Sequence, residues 1–208
     1  MTRLPEAERL RALTEIDRTY WETPGCVLAG MDEVGRGPLA GPVVVACAVM
    51  PSAPLIERVN DSKKLSRARR EQLYPLLTEA ALKYALAWVG PETIDEINIL
   101  EATRRAFSEA FAKTPPPVTD VLIDAMTGLD IPARQHPLIH GDALSYSIAC
   151  ASIIAKVARD RYMIEQDAVY PMYGFARNMG YGTAEHIAAI RAYGPCPLHR
   201  RSFLGHFL

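Results

Sequence analysis

Two periodicities alternate along the chain: short apolar runs typical of strands, and longer segments with apolar residues at helical spacing. The short runs are bounded by glycine, proline or polar residues, so they predict strands. The predicted strands cover residues 26–30, 43–49, 83–89, 120–124 and 137–140. The predicted helices cover residues 6–20, 66–80, 93–113, 143–166 and 184–193, and their candidate N-caps include Ser66, Thr93 or Asp95, and Asp142.

The segment between the first two predicted strands combines acids with glycines. Asp32 and Glu33 follow the first strand, and Gly35 and Gly37 lie in the next turn on either side of Arg36. Two adjacent carboxylates at the end of an apolar strand are costly unless they are solvated, paired or bound to a cation. Glycine permits positive φ and a close approach of the backbone to a ligand. The segment therefore predicts acid chemistry beside an exposed backbone.

Two further acids lie at the ends of predicted elements. Asp124 ends the fourth strand, and Asp142 precedes the longest helix. Each has an ordinary structural explanation, because aspartate is common at turns and at helix N-caps. Capping does not exclude catalysis, since one carboxylate oxygen can cap while the other binds a metal ion. Asp160 lies five turns further along the helix, too far from Asp142 to share a metal ion, and is predicted to form a structural ion pair.

Asp32, Glu33, Asp124 and Asp142 predict a carboxylate site at strand ends, where α/β sheets gather catalytic groups. Carboxylates alone favour Mg²⁺ or Mn²⁺, which two-metal phosphodiester chemistry uses. The chain has no CxxC pair, no HExxH motif and no P-loop, so a zinc site or a nucleotide hydrolase is disfavoured. Strand alternation directs Asp32 and Glu33 to opposite faces, so the following turn must bend Glu33 back if both serve one site.

Basic and aromatic residues elsewhere are open to two interpretations. The densest basic cluster is either a solvated helix start or a phosphate-contacting patch, and it contains Lys63, Lys64, Arg67, Arg69 and Arg70. Tyr181 lies between two glycines and is predicted to be exposed, where it either packs within its loop or stacks on a base or sugar. The local sequence leaves both choices open.

Composition narrows the class of protein. A length of 208 residues with 49% hydrophobic residues predicts one globular domain, and the apolar runs are too short to span a membrane. Residues 1–8 show no secretion signal. The four cysteines show no close pairing, which favours buried free thiols in a reducing cytoplasm. A net charge of -1 says nothing about a local basic patch.

Several separated motifs occur in one order along the chain, and together they resemble the ribonuclease HII family, the type 2 ribonucleases H. The first is DEVGRG at 32–37 with AGP at 40–42, and the second is DSKKLS at 61–66. The strand ending in Asp124 comes next, before GD at 141–142 with SYSIA and ASIIAK. RDR at 159–161, GYGT at 180–183 and YGPCP at 193–197 complete the set.

The resemblance implies an α/β fold of the ribonuclease H type, with a mixed five-stranded sheet flanked by helices. It implies a single catalytic domain over residues 1–208, whose C-terminal extension begins at about residue 170. It implies that the four acids hold two Mn²⁺ or Mg²⁺ ions. It further implies a cytoplasmic enzyme, most simply a monomer, acting in ribonucleotide excision repair.

The substrates that the resemblance implies are RNA/DNA hybrids and duplex DNA containing single ribonucleotides. Cleavage would fall on the 5′ side of the ribonucleotide and leave a 3′-hydroxyl and a 5′-phosphate. The backbone of Gly35, Arg36 and Gly37 would read the ribose 2′-hydroxyl, and Tyr181 would pack at the junction between ribonucleotide and deoxyribonucleotide. The implied substrate contacts also include Lys63, Lys64 and Ser145.

Three residues depart from the family pattern, and two other functions stay open. Ala125 stands where glycine is common in the family, and Leu144 and Met179 stand where lysines are expected. The absence of these two lysine charges predicts a lower affinity for nucleic acid. A junction-cleaving nuclease of the same fold would ignore the 2′-hydroxyl, and a non-catalytic module would bind hybrids without turnover. Residues 203–208 show no obvious clamp-binding peptide.

Overall fold

The computed structural model describes residues 5–115 and 117–205. Two predictions involve residues outside these ranges: the absence of a secretion signal in residues 1–8, whose first four residues are not described, and the absence of a clamp-binding peptide in residues 203–208, whose last three are not. Within the described ranges, no helix combines the length and apolar character needed to cross a bilayer.

A mixed five-stranded sheet forms the centre of the molecule, as the sequence predicts. Its strands are β1 (Leu28–Val34), β2 (Val43–Val49), β3 (Lys83–Val89), β4 (Asp120–Asp124) and β5 (Arg134–Leu138). They are arranged in the order β3-β2-β1-β4-β5. β1 pairs antiparallel with β2 and parallel with β4, so the carboxyl ends of β1 and β4 meet at one edge.

Eight α-helices surround the sheet in the described residues. They are α1 (Glu6–Leu13), α2 (Glu15–Trp21), α3 (Arg67–Ala80), α4 (Pro91–Lys113), α5 (Gly141–Leu144), α6 (Tyr146–Val169), α7 (Phe175–Asn178) and α8 (Ala184–Tyr193). Short 3₁₀ turns cover Ser62–Lys64, Pro171–Tyr173 and Arg201–Phe203. α4 packs against β2 and β3 on one face of the sheet, and α6 packs against β1 and β2 on the other.

Some predicted boundaries were wrong. The first strand begins at Leu28 and continues to Val34, where it still pairs with Val44, so Asp32 and Glu33 lie within the strand rather than after it. The fifth strand is Arg134–Leu138 rather than residues 137–140, because it pairs with the whole of β4.

Three predicted helices begin or break at other residues. The first divides at Thr14, whose hydroxyl donates to the Leu10 carbonyl. α4 begins at Pro91 after Gly90, before either predicted cap, and it is interrupted at Asn98, which has a φ of 66°. The helix predicted for residues 143–166 is divided into α5 and α6 by Ser145, which has an extended backbone.

Two apolar layers, one on each face of the sheet, form the core. Every residue of β2 is buried, because its valines and alanines alternate between the α4 layer and the α6 layer. Burying a side chain of this kind contributes roughly 1.5–3 kcal/mol. Gly30 in β1 allows a close approach of α6 to the sheet, since an added β-carbon would lie 2.1 Å from the carbonyl carbon of Ser147.

A third apolar cluster joins the C-terminal segment to the rest of the chain. It contains Leu39, Ala40, Met163, Tyr173, Phe175, Ile190, Cys196, Leu198 and Leu204. Residues after β1 and residues of α6 therefore share one core with the segment that follows residue 170.

Candidate active site

Three of the four acids that were predicted to form a site meet at one edge of the sheet. Asp32, Asp124 and Asp142 each offer a carboxylate oxygen, and these oxygens lie within 4.8 Å of one another. Asp32 and Asp124 meet because β1 and β4 run parallel in neighbouring positions, and Asp142 reaches them from α5. Asp32 and Asp142 are almost fully buried. The arrangement is a cluster of like charges, and hard divalent cations bind such oxygen donors.

A short connection fixes Asp124 relative to Asp142. The Gly141 N–H donates to Asp124 Oδ1 over 2.8 Å, which ties the end of β4 to the start of α5. A β-carbon at Gly141 would lie 2.6 Å from the terminal methyl of Ile148 and 3.2 Å from Leu138 Cβ, so a larger residue here would have to displace the Ile148 side chain. Ala125, which follows Asp124, has a φ of 51°, a conformation that favours glycine over alanine.

Asp142 does not cap the long helix, so that prediction was wrong. It lies in the first turn of α5, while Ser145 caps α6 by accepting a hydrogen bond from the Ile148 N–H over 3.2 Å. The helix divides at Ser145 because Asp17, on α2, accepts from the Ser145 hydroxyl and from the N–H groups of Tyr146 and Ser147. The Asp142 carboxylate is thereby left for contacts at the sheet edge.

Glu33 lies beside the three-acid cluster rather than within it. It is opposite Val45 of the α4 layer, whereas Asp32 is opposite Ala46 of the α6 layer, as strand alternation predicts. Its nearest cation is Arg36, with Nη1 3.7 Å from Oε1. Glu33 is partly buried, and its charge raises the pKa of Asp32. Glu33 therefore interacts with the cluster through its charge, but its carboxylate is not among the three whose oxygens lie within 4.8 Å of one another.

Burial opposes ionisation of these carboxyls. Loss of solvent raises the pKa of Asp32 well above its usual range, and the charge of Glu33 raises it further. Burial also raises the pKa of Glu33 and that of Asp142, although Arg36 and Lys63 respectively act against these shifts. Positive charge supplied by a ligand would relieve this repulsion.

A basic 3₁₀ turn lies next to Asp142. Lys63 Nζ is 3.4 Å from Asp142 Oδ2, and Lys64 Nζ is 3.4 Å from Asp61 Oδ2. Both lysine side chains are mostly exposed, at 79% and 64%. Asp61 caps the turn by accepting from the Lys63 N–H over 2.9 Å. The predicted basic patch therefore adjoins the acid cluster, and its lysines are accessible to a ligand.

Two buried arginines hold the glycine-rich turn from beneath. Arg200 is fully buried and donates to the carbonyl oxygens of Gly35, Arg36 and Gly41 over 2.5–3.0 Å. Burial lowers the pKa of Arg200 to about 9. Its three carbonyl contacts fix the path of the chain between β1 and β2.

Arg159 supports the end of the same turn. It is fully buried on α6 and donates to the carbonyl oxygens of Ala40, Pro42 and Met179. A β-carbon at Gly35, whose φ is 94°, would lie 2.3 Å from Arg159 Nε. Sequence reasoning did not identify either arginine as a support of the turn. The signal was present for Arg159, since an arginine among alanines and valines on a core helix is unusual.

Tyr181 is exposed, as predicted, and lies next to the glycine-rich turn. Its side chain is 44% exposed, and a β-carbon at Gly37 would lie 3.8 Å from its Cε1. The preceding residue, Gly180, accepts from the N–H groups of Leu39 and Ala40. Ser145, by contrast, is fully buried, and its hydroxyl contacts Asp17 and the start of α6. The structure thus brings Tyr181 to the turn but leaves Ser145 inside the protein.

Asp160 forms the structural ion pairs that the sequence predicts. Its carboxylate lies 2.6 Å from Lys156 Nζ and 3.6 Å from Arg70 Nη2. The four cysteines are all free, and three of them are buried.

Comparisons with a family description, with related sequences and with solved structures all indicate the same family. The family description "Ribonuclease HII" matches residues 29–205. Proteins of that name from Ruminiclostridium cellulolyticum and Caldanaerobacter subterraneus are 49% and 44% identical over 203 residues, which are 98% of this chain and 80% and 84% of theirs. The ribonuclease H2 structure from Pyrococcus horikoshii superposes with a TM-score of 0.73 at 28% identity, covering 85% of this chain and 93% of that one.

The matched residues include the strands that position the acids, the glycine-rich turn and the C-terminal segment with Tyr181. This extent and identity confirm the family that the ordered motifs indicate and the α/β fold of the ribonuclease H type. The chain belongs to the ribonuclease HII family, whose members are hydrolases of the ribonuclease H class.

Proposed function

We propose that this chain is an endonuclease that hydrolyses the RNA strand of RNA/DNA hybrids and cuts 5′ of ribonucleotides embedded in duplex DNA. Membership of the family implies cleavage of RNA in hybrids. The observation that carries the proposal is the convergence of Asp32, Asp124 and Asp142 within 4.8 Å, beside a glycine-rich turn. The products are a 3′-hydroxyl and a 5′-phosphate.

The acid cluster fits divalent cations. Asp32, Asp124 and Asp142, with Glu33 beside them, would hold two Mn²⁺ or Mg²⁺ ions, because the donors are all carboxylate oxygens. Burial, together with the charges of neighbouring acids, raises the pKa of Asp32, Glu33 and Asp142, so bound cations would favour their ionised forms. Such ions, when bound, supply Lewis-acid activation of the attacking water and stabilisation of the leaving 3′-oxygen. The chain's part is to hold the carboxylates at a fixed separation.

Recognition of RNA rests on the glycine-rich turn. Arg200 already holds the carbonyl oxygens of Gly35 and Arg36, so the backbone of the turn is rigid before substrate binds. A rigid backbone offers preset hydrogen-bonding groups to the ribose 2′-hydroxyl, the group that distinguishes RNA from DNA. We place Gly35, Arg36 and Gly37 in this role.

The surrounding surface holds the duplex. Lys63, Lys64 and Arg36 carry exposed cationic groups near the acids, which suits contacts to phosphates without sequence readout. The exposed ring of Tyr181 packs on the sugar at the junction with the following deoxyribonucleotide. Substrate contact by Ser145 stays a prediction, because its side chain is fully buried in this structure.

The test is cleavage of a DNA duplex that carries one ribonucleotide, with an all-DNA duplex as control. Each is incubated with Mn²⁺, Mg²⁺ or a chelator, and the product ends are mapped. We expect a metal-dependent cut 5′ of the ribonucleotide by the native protein and by Asp130→Asn, whose residue is exposed and lines a groove with Glu101 and Arg104 of α4. We expect no cut by Asp124→Asn.

Two outcomes would contradict the proposal. Cleavage of the all-DNA duplex would favour a junction nuclease that ignores the 2′-hydroxyl. Metal-independent binding of hybrids without turnover would favour a binding module, and the function inferred from the four acids would be wrong.

We further propose that the chain acts as a cytoplasmic monomer in ribonucleotide excision repair, as one catalytic domain with an extension from about residue 170. The third apolar cluster, which residues of α6 share with the segment after residue 170, supports treating the extension as part of that domain. The free, buried cysteines suit a reducing compartment. Light scattering at micromolar concentration tests the oligomeric state, and a mass of twice 23.0 kDa would contradict it.

A further inference from the structure

Two buried histidines in the C-terminal segment have no part in the chemistry proposed above. His186 on α8 is 0% exposed and His199 is 2% exposed. Their Nε2 atoms lie 3.0 Å apart. The rings of Tyr173 and Phe175 enclose them, with Tyr173 4.7 Å from the His199 ring and Phe175 5.4 Å from the His186 ring. A buried polar pair of this kind must be fully hydrogen-bonded to be tolerated.

The neighbouring groups determine the direction of each hydrogen bond. The Cys196 N–H lies 2.9 Å from His199 Nδ1 and can only donate, so that nitrogen is the acceptor. The Cys196 carbonyl oxygen is farther from His199 Nδ1, at 3.3 Å, and it already accepts a hydrogen bond from the backbone N–H of His199. The proton of neutral His199 is therefore on Nε2, which donates to His186 Nε2. The proton of His186 is then on Nδ1.

The chain of hydrogen bonds ends at Tyr181. His186 Nδ1 lies 2.8 Å from the Tyr181 carbonyl oxygen and donates to it. The Thr183 N–H donates to the same oxygen over 2.8 Å, and the Tyr181 N–H donates to Asn178. The backbone of Tyr181 is thus held from both sides, although its ring is 44% exposed beside the glycine-rich turn.

Both rings are kept neutral by their surroundings. A proton added to His186 Nε2 would face the N–H of His199 at 3.0 Å, and a proton added to His199 Nδ1 would face the backbone N–H of Cys196 at 2.9 Å. Burial lowers the pKa of His186, and burial together with His186 lowers the pKa of His199 to about 4. The geometry also disfavours a metal site, because the two Nε2 atoms point at each other instead of converging on a third point.

We propose that His186 and His199 are positioning residues for Tyr181, and that they set the angle at which its ring meets the sugar at the ribonucleotide junction. This inference rests on the proposed function and adds a specificity device to the same site. The histidines act through the Tyr181 backbone and do not touch the substrate.

The test compares steady-state kinetics of His186→Leu and His186→Asn on the duplex with one ribonucleotide. Leucine fills the space but cannot donate, whereas the asparagine Nδ2 lies near the position of the original Nδ1. We expect His186→Leu to raise KM about fivefold, the equivalent of one hydrogen bond, with kcat nearly unchanged. We expect His186→Asn to recover most of that loss. His199→Phe keeps the aromatic packing and should behave like His186→Leu if the latter does not fold.

A double-mutant cycle separates positioning from a purely structural role. In a Tyr181→Ala background, His186→Leu should leave KM unchanged, because the ring that it positions is absent. An equal rise of KM in both backgrounds, or no rise in the native background while Tyr181→Ala does raise KM, would overturn the inference. If the native protein does not cut this duplex, the proposed function itself has failed, a result distinct from either of these.

Discussion

The two ends of β4 carry the same residue type in opposite surroundings. At its amino end, Asp120 is 2% exposed and accepts hydrogen bonds from Arg134 over 2.6 and 2.8 Å, from His136 over 2.9 Å and from Thr119 over 2.8 Å. At its carboxyl end, Asp124 lies among other carboxylates and accepts from one backbone N–H. The hydrogen bonds from Arg134 lower the pKa of Asp120.

The difference supports the proposal that cations bind at the carboxyl end of β4 and not at its amino end. The protein supplies every donor that Asp120 needs, so that acid serves the fold. At the other end, a single lysine 3.4 Å from Asp142 and an arginine 3.7 Å from Glu33 face four acids, and burial raises the pKa values of three of them. A buried site that lacks its counter-charge requires cations from solution.

The largest expected effect is on catalysis. Asp124→Asn should lower kcat on the duplex with one ribonucleotide on the order of a thousandfold, because metal ions supply several kcal/mol of transition-state stabilisation. Its free energy of unfolding in chelator should not fall, since one of several like charges is removed. Thermal unfolding followed by circular dichroism measures the second quantity. A fall in stability as large as that of Asp120→Asn would contradict the contrast between the two ends.

Metal binding should stabilise the protein through the acids at the carboxyl end of β4 and not through Asp120 at its amino end. At a Mn²⁺ concentration one hundred times its dissociation constant, the free energy of unfolding should rise by about 2.7 kcal/mol. Asp124→Asn should lose most of this response and Asp120→Asn should keep it. Scanning calorimetry with and without chelator gives the comparison. An unchanged response in Asp124→Asn would place the cation elsewhere.

Asp120→Asn should affect stability and leave chemistry intact. The loss of charge-assisted hydrogen bonds at a buried carboxylate should lower the free energy of unfolding by about 2 kcal/mol. Below its unfolding temperature, the variant should cut with native kcat. Urea unfolding and the cleavage assay are measured on the same preparation. A large drop in kcat without a loss of stability would show that this end of β4 also serves the site.

In the absence of metal, the buried acids beside the two ends of β4 should change the free energy of unfolding with pH in opposite directions. Asp32, on the neighbouring strand β1, represents the carboxyl end, and Asp120 represents the amino end. The raised pKa of Asp32 means that its contribution to stability is complete below the unfolded pKa and is lost as pH rises through the folded value. The lowered pKa of Asp120 means that its contribution is present above the unfolded pKa and is lost as pH falls toward the folded value.

The measurement is urea unfolding of native protein and Asp32→Asn in chelator between pH 5 and 7. Relative to this variant, the native protein should lose stability as pH rises over that interval, by at most about 1.4 kcal/mol per pH unit, the linkage limit for one proton. The same experiment on Asp120→Asn should show the native protein gaining stability relative to the variant as pH rises from about 2 to 5. Parallel curves for native protein and Asp32→Asn would contradict the raised pKa.

Much of this site could be predicted because it is encoded locally. The strands that carry Asp32 and Asp124 are marked by apolar runs, and strand alternation correctly directed Glu33 to the opposite face from Asp32. The order of the motifs identified the family, which the comparisons confirm.

Two features of the site could not be predicted because each depends on a partner distant in sequence. Asp142 was expected to cap the long helix, but Asp17 divides that helix at Ser145 from 128 residues away. The turn at Gly35 depends on Arg200, 165 residues later. Neither contact leaves a periodic signal, because a buried arginine that bonds only to carbonyl oxygens resembles any other basic residue in the sequence.

Gly30 has no functional group, yet it bears on how distant relatives of this chain should be judged. It lies two residues before Asp32 on β1, and the backbone of Ser147 on α6 occupies the space where a side chain would be. Because Asp32 is carried by the sheet and Asp142 by the segment leading into α6, this contact determines the separation of the two acids. A relative that keeps every acid but has a larger residue here must hold its helix farther out. Conservation of the ligands alone is therefore an incomplete criterion for a working site.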